Sequence, residues 1–393
     1  MGKIALLAPL ALGACSSSPP PHGVQLNDLA ILMPMATDEA SLSAYITPST
    51  IGDDGEPLFP KALFAADPLA IDLSYDDLRA TALRIDPCFA RLGGVSDPAT
   101  CDSQLRLTFQ PVTFVAGAAS ASAADAAVCV TYELSTAQLE GAVDAIASAR
   151  ASYAPGDLGA IGVHPIIAMQ GLGGDMARDV LGAVTQYAGA AQISEFVALI
   201  GDGSSAPPSA WDFHGIDVDG ATTVPLEIPT LEPSRTDMSV AVTSVAPFDA
   251  QFDPVSTSPD NLALLADTYQ VTVATPAMQQ AAFDAALRVE NPNLDSANTI
   301  DCATCHVAEL ARQLVGEQTL HLSPDDPFAY MADPSIPAAD LAASVADGSS
   351  IESITLHAFS YRGTVPFVAQ RTVDETAASL TEYIQLTGEP SAK

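Results

Sequence analysis

Apolar and polar residues alternate along two nearby stretches of the chain. Leu105, Leu107 and Phe109 fall on one side of an extended segment over residues 105–115. The same alternation returns at Val128, Val130, Tyr132 and Leu134. Side chains two residues apart lie on one face of a strand, so the pattern predicts two strands with a buried face. Residues 238–245 and 269–273 are predicted as further strands.

Apolar residues at helical spacing follow the second of these strands. Ser135 and Gln138 form a capping box, and an apolar stripe continues from Leu139 to Tyr153. Another helix is predicted from Met176 to Tyr187. Two more begin at Thr275-Pro276 and at the capping box Thr372-Val373-Asp374-Glu375, the latter with its apolar side chains turned inward.

Strands and helices interleave without a repeating unit. This order predicts an α+β or mixed α/β body over residues 31–260, and a mainly helical C-terminal part over residues 261–393.

The first residues have the composition of an export signal. Lys3 is followed by an apolar run from Ile4 to Leu12, which is shorter than the roughly 20 residues that a membrane-spanning helix needs. Leu12-Gly13-Ala14-Cys15 resembles the lipobox of bacterial lipoproteins, which implies that residues 1–14 are a signal peptide and that Cys15 carries the lipid. An ordinary secretory signal cut nearby is the alternative. Either signal predicts export.

The stretch after Cys15 is predicted to be a tether over residues 15–30, because its serines and prolines cannot bury a core. Ser16 resembles the pattern of lipoproteins that are sent to the outer membrane. The resemblance implies a protein anchored by lipid and facing the periplasm or the cell surface, with the outer membrane favoured. No later stretch contains some 18 uninterrupted apolar residues, so no transmembrane helix is expected.

The chain is strongly acidic. Its 393 residues are 48% hydrophobic, enough for a large core, and carry a net charge of −34. Removal of residues 1–14 takes away Lys3 and no acid, so the charge goes from −34 to −35. Nucleic acid and anionic lipid surfaces are repelled by such a field, and a basic partner protein is attracted.

Three of the six cysteines lie in the body. Cys88 and Cys101 flank a turn-rich loop, and an exported protein keeps disulfides, so we predict a bond between them. A loop of this length contributes about 3 kcal/mol in the chain-entropy account. Cys129 is left over and is predicted to be a buried thiol, although a bond from Cys129 to Cys88 or Cys101 stays open.

The stretch Cys302-Ala303-Thr304-Cys305-His306 matches C-x-x-C-H, and here the chain resembles c-type cytochromes. Two thiols three positions apart on one helical turn can reach both vinyl groups on one edge of a porphyrin. The resemblance implies a single covalent haem c, with Cys302 and Cys305 as its anchors and His306 as the iron ligand. The apolar residues after the motif fall at helical spacing and would support the haem edge.

The sixth iron ligand is left open by the sequence. Met331 lies in a proline-bounded loop 25 residues after His306 and would raise the reduction potential. His321 and His357 are the alternatives, and an empty position would suit a peroxidase or a sensor. Arg362 and Arg371 are candidates for contacts with haem propionates.

Other chemistries compete for the motif. A thioredoxin-like dithiol needs a strand before it, whereas a turn-rich loop precedes Cys302. A zinc clip needs a fourth donor, such as His321 or an acid. A structural disulfide would leave His306 without a role.

The sequence therefore predicts an exported, lipid-anchored mono-haem protein that transfers electrons to or from another redox carrier. The alternative is a surface or scaffold lipoprotein whose body binds a partner, with C-x-x-C-H as a disulfide or metal site. No pattern of catalytic residues typical of a hydrolase is found.

Overall fold

A computed structural model gives the fold. It describes residues 23–70, 73–90, 101–114, 117–201, 209–220, 222–231, 235–242, 250–253, 256–267, 274–343 and 356–388. The predicted signal peptide and Cys15, the predicted lipidation site, lie outside these residues, as does the strand predicted over 269–273.

Ten strands of the described residues join in one antiparallel sheet. Along the sheet the order is β1-β2-β3-β5-β6-β7-β9-β10, with β4 paired to β3 and β8 paired to β7. The strands are β1 Ala30–Leu32, β2 Leu78–Ala90, β3 Cys101–Thr113, β4 Ser122–Ala123, β5 Ala126–Leu134, β6 Ile193–Gly201, β7 Ser209–Asp219, β8 Thr222–Pro225, β9 Asp237–Val242 and β10 Ala250–Asp253. A two-stranded hairpin follows late in the chain, with β11 Phe359–Arg362 and β12 Val365–Val368.

Ten α-helices lie in the described part of the chain, six of them before β6. They are α1 Leu26–Leu29, α2 Glu39–Leu42, α3 Lys61–Phe64, α4 Thr136–Tyr153, α5 Pro165–Gln170, α6 Asp175–Tyr187, α7 Pro259–Asn261, α8 Pro276–Glu290, α9 Cys302–Ala311 and α10 Gln370–Thr387. Two π-helical segments, Leu262–Asp267 and Arg312–Leu320, extend α7 and α9. None of the helices in the described part of the chain is long and apolar enough to cross a membrane.

The predicted fold class is wrong. We expected a mixed α/β body and a mainly helical C-terminal part that binds haem, but the body is built on one antiparallel sheet and most helices precede the C-terminal part. A separate helical haem-binding part is not seen. The error has a physical cause: β2, β3, β5, β6 and β7 pair in chain order, and neighbouring antiparallel strands need no crossover helix between them.

Several local predictions are confirmed. β3 and β5 contain the two alternating stretches, and Leu107 faces Val130 across the pair, both fully buried. Ser135 caps α4 through the predicted box with Gln138, and Thr275 caps α8 with Pro276 in the first turn. The predicted start of the last helix is wrong, because α10 begins at Gln370 and its first N–H donates to Glu309 Oε2, 2.7 Å away. A side chain from another helix therefore takes the place of the local cap.

Two apolar clusters fill the interior. We call the larger one the sheet core; it packs α1, α4, α6 and α10 with the apolar face of β2, β3 and β5. Residues 24–30, at the end of the segment predicted as a tether, contribute to it, and the fully buried Asp28 binds the fully buried Arg150 of α4 (Oδ1 to Nε 2.9 Å). We call the smaller one the motif core; it packs α8 and α9 against Trp211 and Phe213 of β7 and Met238 and Val240 of β9.

Candidate functional site

The C-x-x-C-H motif forms the first turn and a half of α9, which begins at Cys302. Asp301 is its N-cap: Oδ1 accepts the N–H of Thr304 at 2.9 Å, and Oδ2 accepts its hydroxyl at 3.0 Å. Asn261 and Thr230 donate to the same Oδ2 at 2.6 and 3.1 Å. The start of the motif is therefore held by side chains from three separate segments.

Cys302, Cys305 and His306 share one side of α9, since residues three and four apart on a helix are neighbours. All three are half-buried, whereas Ala303 and Thr304 between them are fully buried. The predicted helical turn with both thiols on one side is confirmed. The same side carries every group that the haem hypothesis requires of the motif.

The imidazole of His306 is oriented by a backbone carbonyl. Its Nδ1 is hydrogen-bonded to Leu356 O, so Nδ1 carries the proton in the neutral ring, and Nε2 has no hydrogen-bond partner among the described residues. The ring of Phe213 lies 5.2 Å away, tilted by 55°. Burial lowers the pKa of His306, which favours the neutral ring. A neutral imidazole with a free Nε2 is the form that binds a metal.

Both cysteines of the motif are free thiols packed against the motif core. Burial raises the pKa of Cys305 to about 11 and the pKa of Cys302 further above its ordinary value. The negative charge of Asp301 acts in the same direction on Cys302, whereas at Cys305 the charge of Arg371 opposes burial without outweighing it. Both sulfurs are therefore protonated at neutral pH.

A row of charged and polar side chains crosses the sheet. Arg84, Arg106, Thr131 and Glu195 face one another on consecutive strands β2, β3, β5 and β6. Glu195, at one end of this row, adds a small contribution to the pKa of Cys302, which burial and Asp301 mainly raise. Glu375 of α10 extends it and binds Arg84 at 2.7 Å.

The two arginines proposed for haem propionates already have protein partners. Arg371 binds Glu375 (Nε to Oε1 2.5 Å) and the carbonyl oxygens of Val289 and Asp295. Arg362 Nε lies 3.5 Å from Asp125 Oδ2. Their contact with propionates stays a prediction.

The three candidates for the sixth ligand lie in different environments. Met331 is 85% exposed, and His321 ends the π-helix Arg312–Leu320 in a left-handed conformation with φ 56°. His357 is buried with both ring nitrogens hydrogen-bonded, Nε2 to Asp125 Oδ1 at 2.8 Å and Nδ1 to Ser360 Oγ at 2.7 Å. His357 could bind a metal only after losing one of these bonds.

Of the other cysteines whose side chains are described, Cys88 is bonded and Cys129 is free. Cys88 is in a disulfide. Cys101 lies on β3 with its backbone paired to Ala90 of β2, but its side chain is outside the described residues, so the bond between Cys88 and Cys101 stays a prediction. Cys129 is a free thiol on β5 whose pKa is raised by burial.

Sequence reasoning missed Leu356 and Phe213, which contact the His306 imidazole, and Asp125 and Trp211, which bind each other beside them. Leu356 follows His306 by 50 residues, and Asp125 is 232 residues from its partner His357. No local pattern joins positions so far apart in the chain.

Within the described residues, no group of three or more His, Cys, Asp or Glu side chains is arranged to hold a metal ion. Comparisons with protein-family models, with curated proteins and with solved structures find no match.

Proposed function

We propose that the protein is an exported, lipid-anchored mono-haem carrier that passes single electrons to or from another redox protein. The observation that carries the proposal is the state of His306. Its Nδ1 is bound to Leu356 O and its Nε2 is free of hydrogen bonds among the described residues. Metal-binding histidines in proteins are held in this way through the nitrogen that does not bind the metal.

The residue types of the motif are those that hold a haem c group. Cys302 and Cys305 are free and lie beside His306 on one side of α9. Each S–H would add across one vinyl group, so that two thioether bonds form with no atom lost and no oxidant required. Bound haem supplies a one-electron Fe(III)/Fe(II) couple. Cys302 and Cys305 would anchor it, and His306 would hold the iron.

A redox dithiol fits the same residues less well. The attacking species in thiol–disulfide exchange is the thiolate, and reactive C-x-x-C motifs lower the pKa of one cysteine. Here burial raises the pKa of both motif cysteines. The motif also follows a loop, since residues 291–301 contain no strand.

The net charge indicates the partner. With −34 on the chain, a basic redox protein would be attracted and nucleic acid repelled. The rate of electron transfer should fall as salt is added, because exposed charges more than about 10 Å apart are screened at 0.1 M. The proposed lipid at Cys15 would keep the carrier at the membrane.

The test is production of the exported protein together with a cytochrome c maturation system. Covalent haem survives acid-acetone extraction, adds its mass to the polypeptide and gives a sharp α-band after reduction. Cys302→Ala or Cys305→Ala should each remove one thioether bond, and the double variant should lose covalent haem. Cys129→Ala is the matched control, since it removes a free thiol outside the motif.

A wild-type protein without covalent haem under these conditions would overturn the proposal and favour the scaffold lipoprotein.

The lipid anchor is tested separately by Cys15→Ala, which should move the protein from the membrane fraction to the soluble fraction. A peroxidase or sensor would keep the same anchors and differ at the sixth ligand. Met331→Ala should change the oxidised spectrum from low-spin to high-spin if Met331 binds iron, and leave it unchanged otherwise.

A further inference from the structure

Two parts of the chain that are far apart in sequence hold the imidazole of His306. Phe213 of β7 packs against the ring, and Leu356 O accepts the Nδ1 hydrogen bond. Trp211 lies two residues before Phe213, on the same side of β7 and in the same core, and His357 directly follows Leu356. A shift of β7 relative to residues 356–362 would therefore turn the imidazole.

The carboxylate of Asp125 joins these two parts. Its Oδ1 accepts hydrogen bonds from Trp211 Nε1 at 3.1 Å and from His357 Nε2 at 2.8 Å. Arg362 Nε lies 3.5 Å from its Oδ2. Burial acts to raise the pKa of Asp125, but the bonds from His357 and Trp211 and the charge of Arg362 outweigh it, so the pKa lies below its usual value. An ionised acceptor makes these hydrogen bonds stronger than neutral ones.

His357 is held at its second nitrogen as well. Nδ1 is bonded to Ser360 Oγ at 2.7 Å, and Ser360 lies on β11, paired with Phe367 of β12. Aspartate, histidine and serine thus form a hydrogen-bonded series that resembles a hydrolase triad. Ser360 is only 3% exposed and His357 only 6%, so a substrate has no access to the hydroxyl. The series instead holds the backbone at Leu356 against β7.

We propose that Asp125 is a positioning residue for His306, acting through His357 and Trp211 on the Leu356 carbonyl and the Phe213 ring. The inference rests on the proposed haem ligation by His306. A firm hydrogen bond at Nδ1 makes Nε2 more basic. A more basic axial ligand favours the oxidised iron, so Asp125 keeps the reduction potential low.

The experiment compares Asp125→Ala, Asp125→Asn and Asp212→Ala in the full-length protein carrying haem. Asp212 is an exposed aspartate next to Trp211 on β7, which makes it a matched control. Asp125→Ala should keep its covalent haem but show a more positive midpoint potential. Its haem electron paramagnetic resonance signal should broaden, because the imidazole takes several orientations. Asp125→Asn keeps an acceptor oxygen for both donors but loses the charge, so its shift should be smaller than that of Asp125→Ala, whereas Asp212→Ala should match wild type.

A wild-type potential and signal in haem-bearing Asp125→Ala would overturn this inference and leave the proposed function intact. A wild-type protein that binds no haem would instead overturn the proposed function. If Asp125→Ala does not fold, Trp211→Phe decides, since it removes the N–H to Asp125 and keeps one aromatic ring in the core. It should shift the potential in the same direction by a smaller amount, and an unchanged potential would contradict the inference.

Discussion

The sheet core and the motif core are held together differently. The sheet core is closed by apolar side chains that alternate along β3 and β5, and a fully buried ion pair, Asp28 and Arg150, ties α1 to α4. Around the motif core, buried polar groups from distant segments are hydrogen-bonded. Asn261 and Thr230 donate to Asp301 at the start of α9, and Asp125 accepts from His357, directly after Leu356. Apolar packing tolerates substitution of similar volume, whereas a polar network depends on each member. The candidate site is therefore joined to distant segments of the chain through buried polar contacts.

The largest effect is expected at the ion pair of the sheet core. Arg150 donates from Nε to Asp28 Oδ1 at 2.9 Å and from Nη2 to Oδ2 at 3.0 Å, with both side chains fully buried. Arg150→Ala leaves the Asp28 carboxyl buried without these donors. The free energy of unfolding should fall by about 3–5 kcal/mol, as for other buried pairs that lose one partner. Urea denaturation of the purified protein measures it.

Arg178→Ala is the control for this prediction. Arg178 binds Asp175 on the surface of α6, where both side chains are more than half exposed. Exposed pairs contribute little to stability. Equal losses in the two variants would contradict the view that the buried pair anchors residues 24–30.

A smaller loss is expected where the π-helix after α9 touches α8. A methyl group on Gly316 would collide with the aromatic ring of Phe283. Gly316→Ala should therefore lower stability by about 1–3 kcal/mol through overpacking beside the motif core. The same change at Gly182 of α6 meets no heavy atom within 4 Å and should raise stability by about 0.5–1 kcal/mol. Thermal unfolding of both variants would show whether the helix behind the motif is as closely packed as the structure indicates.

The two regions also differ in how much of them could be predicted from the sequence. Ser135 with Gln138 and Thr275 with Pro276 are local signals, so the starts of α4 and α8 were found correctly. The start of α10 was missed, since its first N–H binds Glu309 of α9, a contact 61 residues away. The fold class was wrong because alternation shows which residues form a strand but not which strand lies beside it.

In the candidate site too, the local features could be predicted from the sequence and the long-range contacts could not. The C-x-x-C-H motif could be found because its three functional groups lie within five residues. The groups that orient it could not, since Leu356, Phe213 and Asp125 come from separate elements and carry no motif of their own.

At the motif itself, Asp301→Ala should cost about 1–2 kcal/mol, as the loss of a helix N-cap does. Asp301 accepts hydrogen bonds from Thr304, Asn261 and Thr230, so its loss frees the first turn that carries Cys302. The yield of covalent haem should fall along with stability, because the thiols no longer share a fixed turn. Asp38→Ala removes a cap from α2 at the surface and should leave haem yield unchanged. Normal haem yield in Asp301→Ala would show that the polar network is not needed for attachment.

The last comparison concerns two carboxylates of α10 whose pKa values are shifted in opposite directions, one beside each region. Burial, with a further contribution from Asp86, raises the pKa of Glu382 to about 7. An acid whose pKa is raised on folding contributes stability that is present below its unfolded pKa of about 4.3 and is lost as pH rises through about 7. Glu382→Gln should therefore stabilise the protein at pH 8 and have little effect at pH 4.

The pKa of Glu375, near Cys305, is shifted in the opposite direction. Burial would raise this pKa, but Arg371 and Arg84 outweigh burial and hold it well below its usual value. Glu375→Gln should destabilise the protein at pH 8, with a loss that shrinks as pH falls below 4. Denaturation at both pH values tests the pair, and the same sign in both variants would contradict the charge distribution described here.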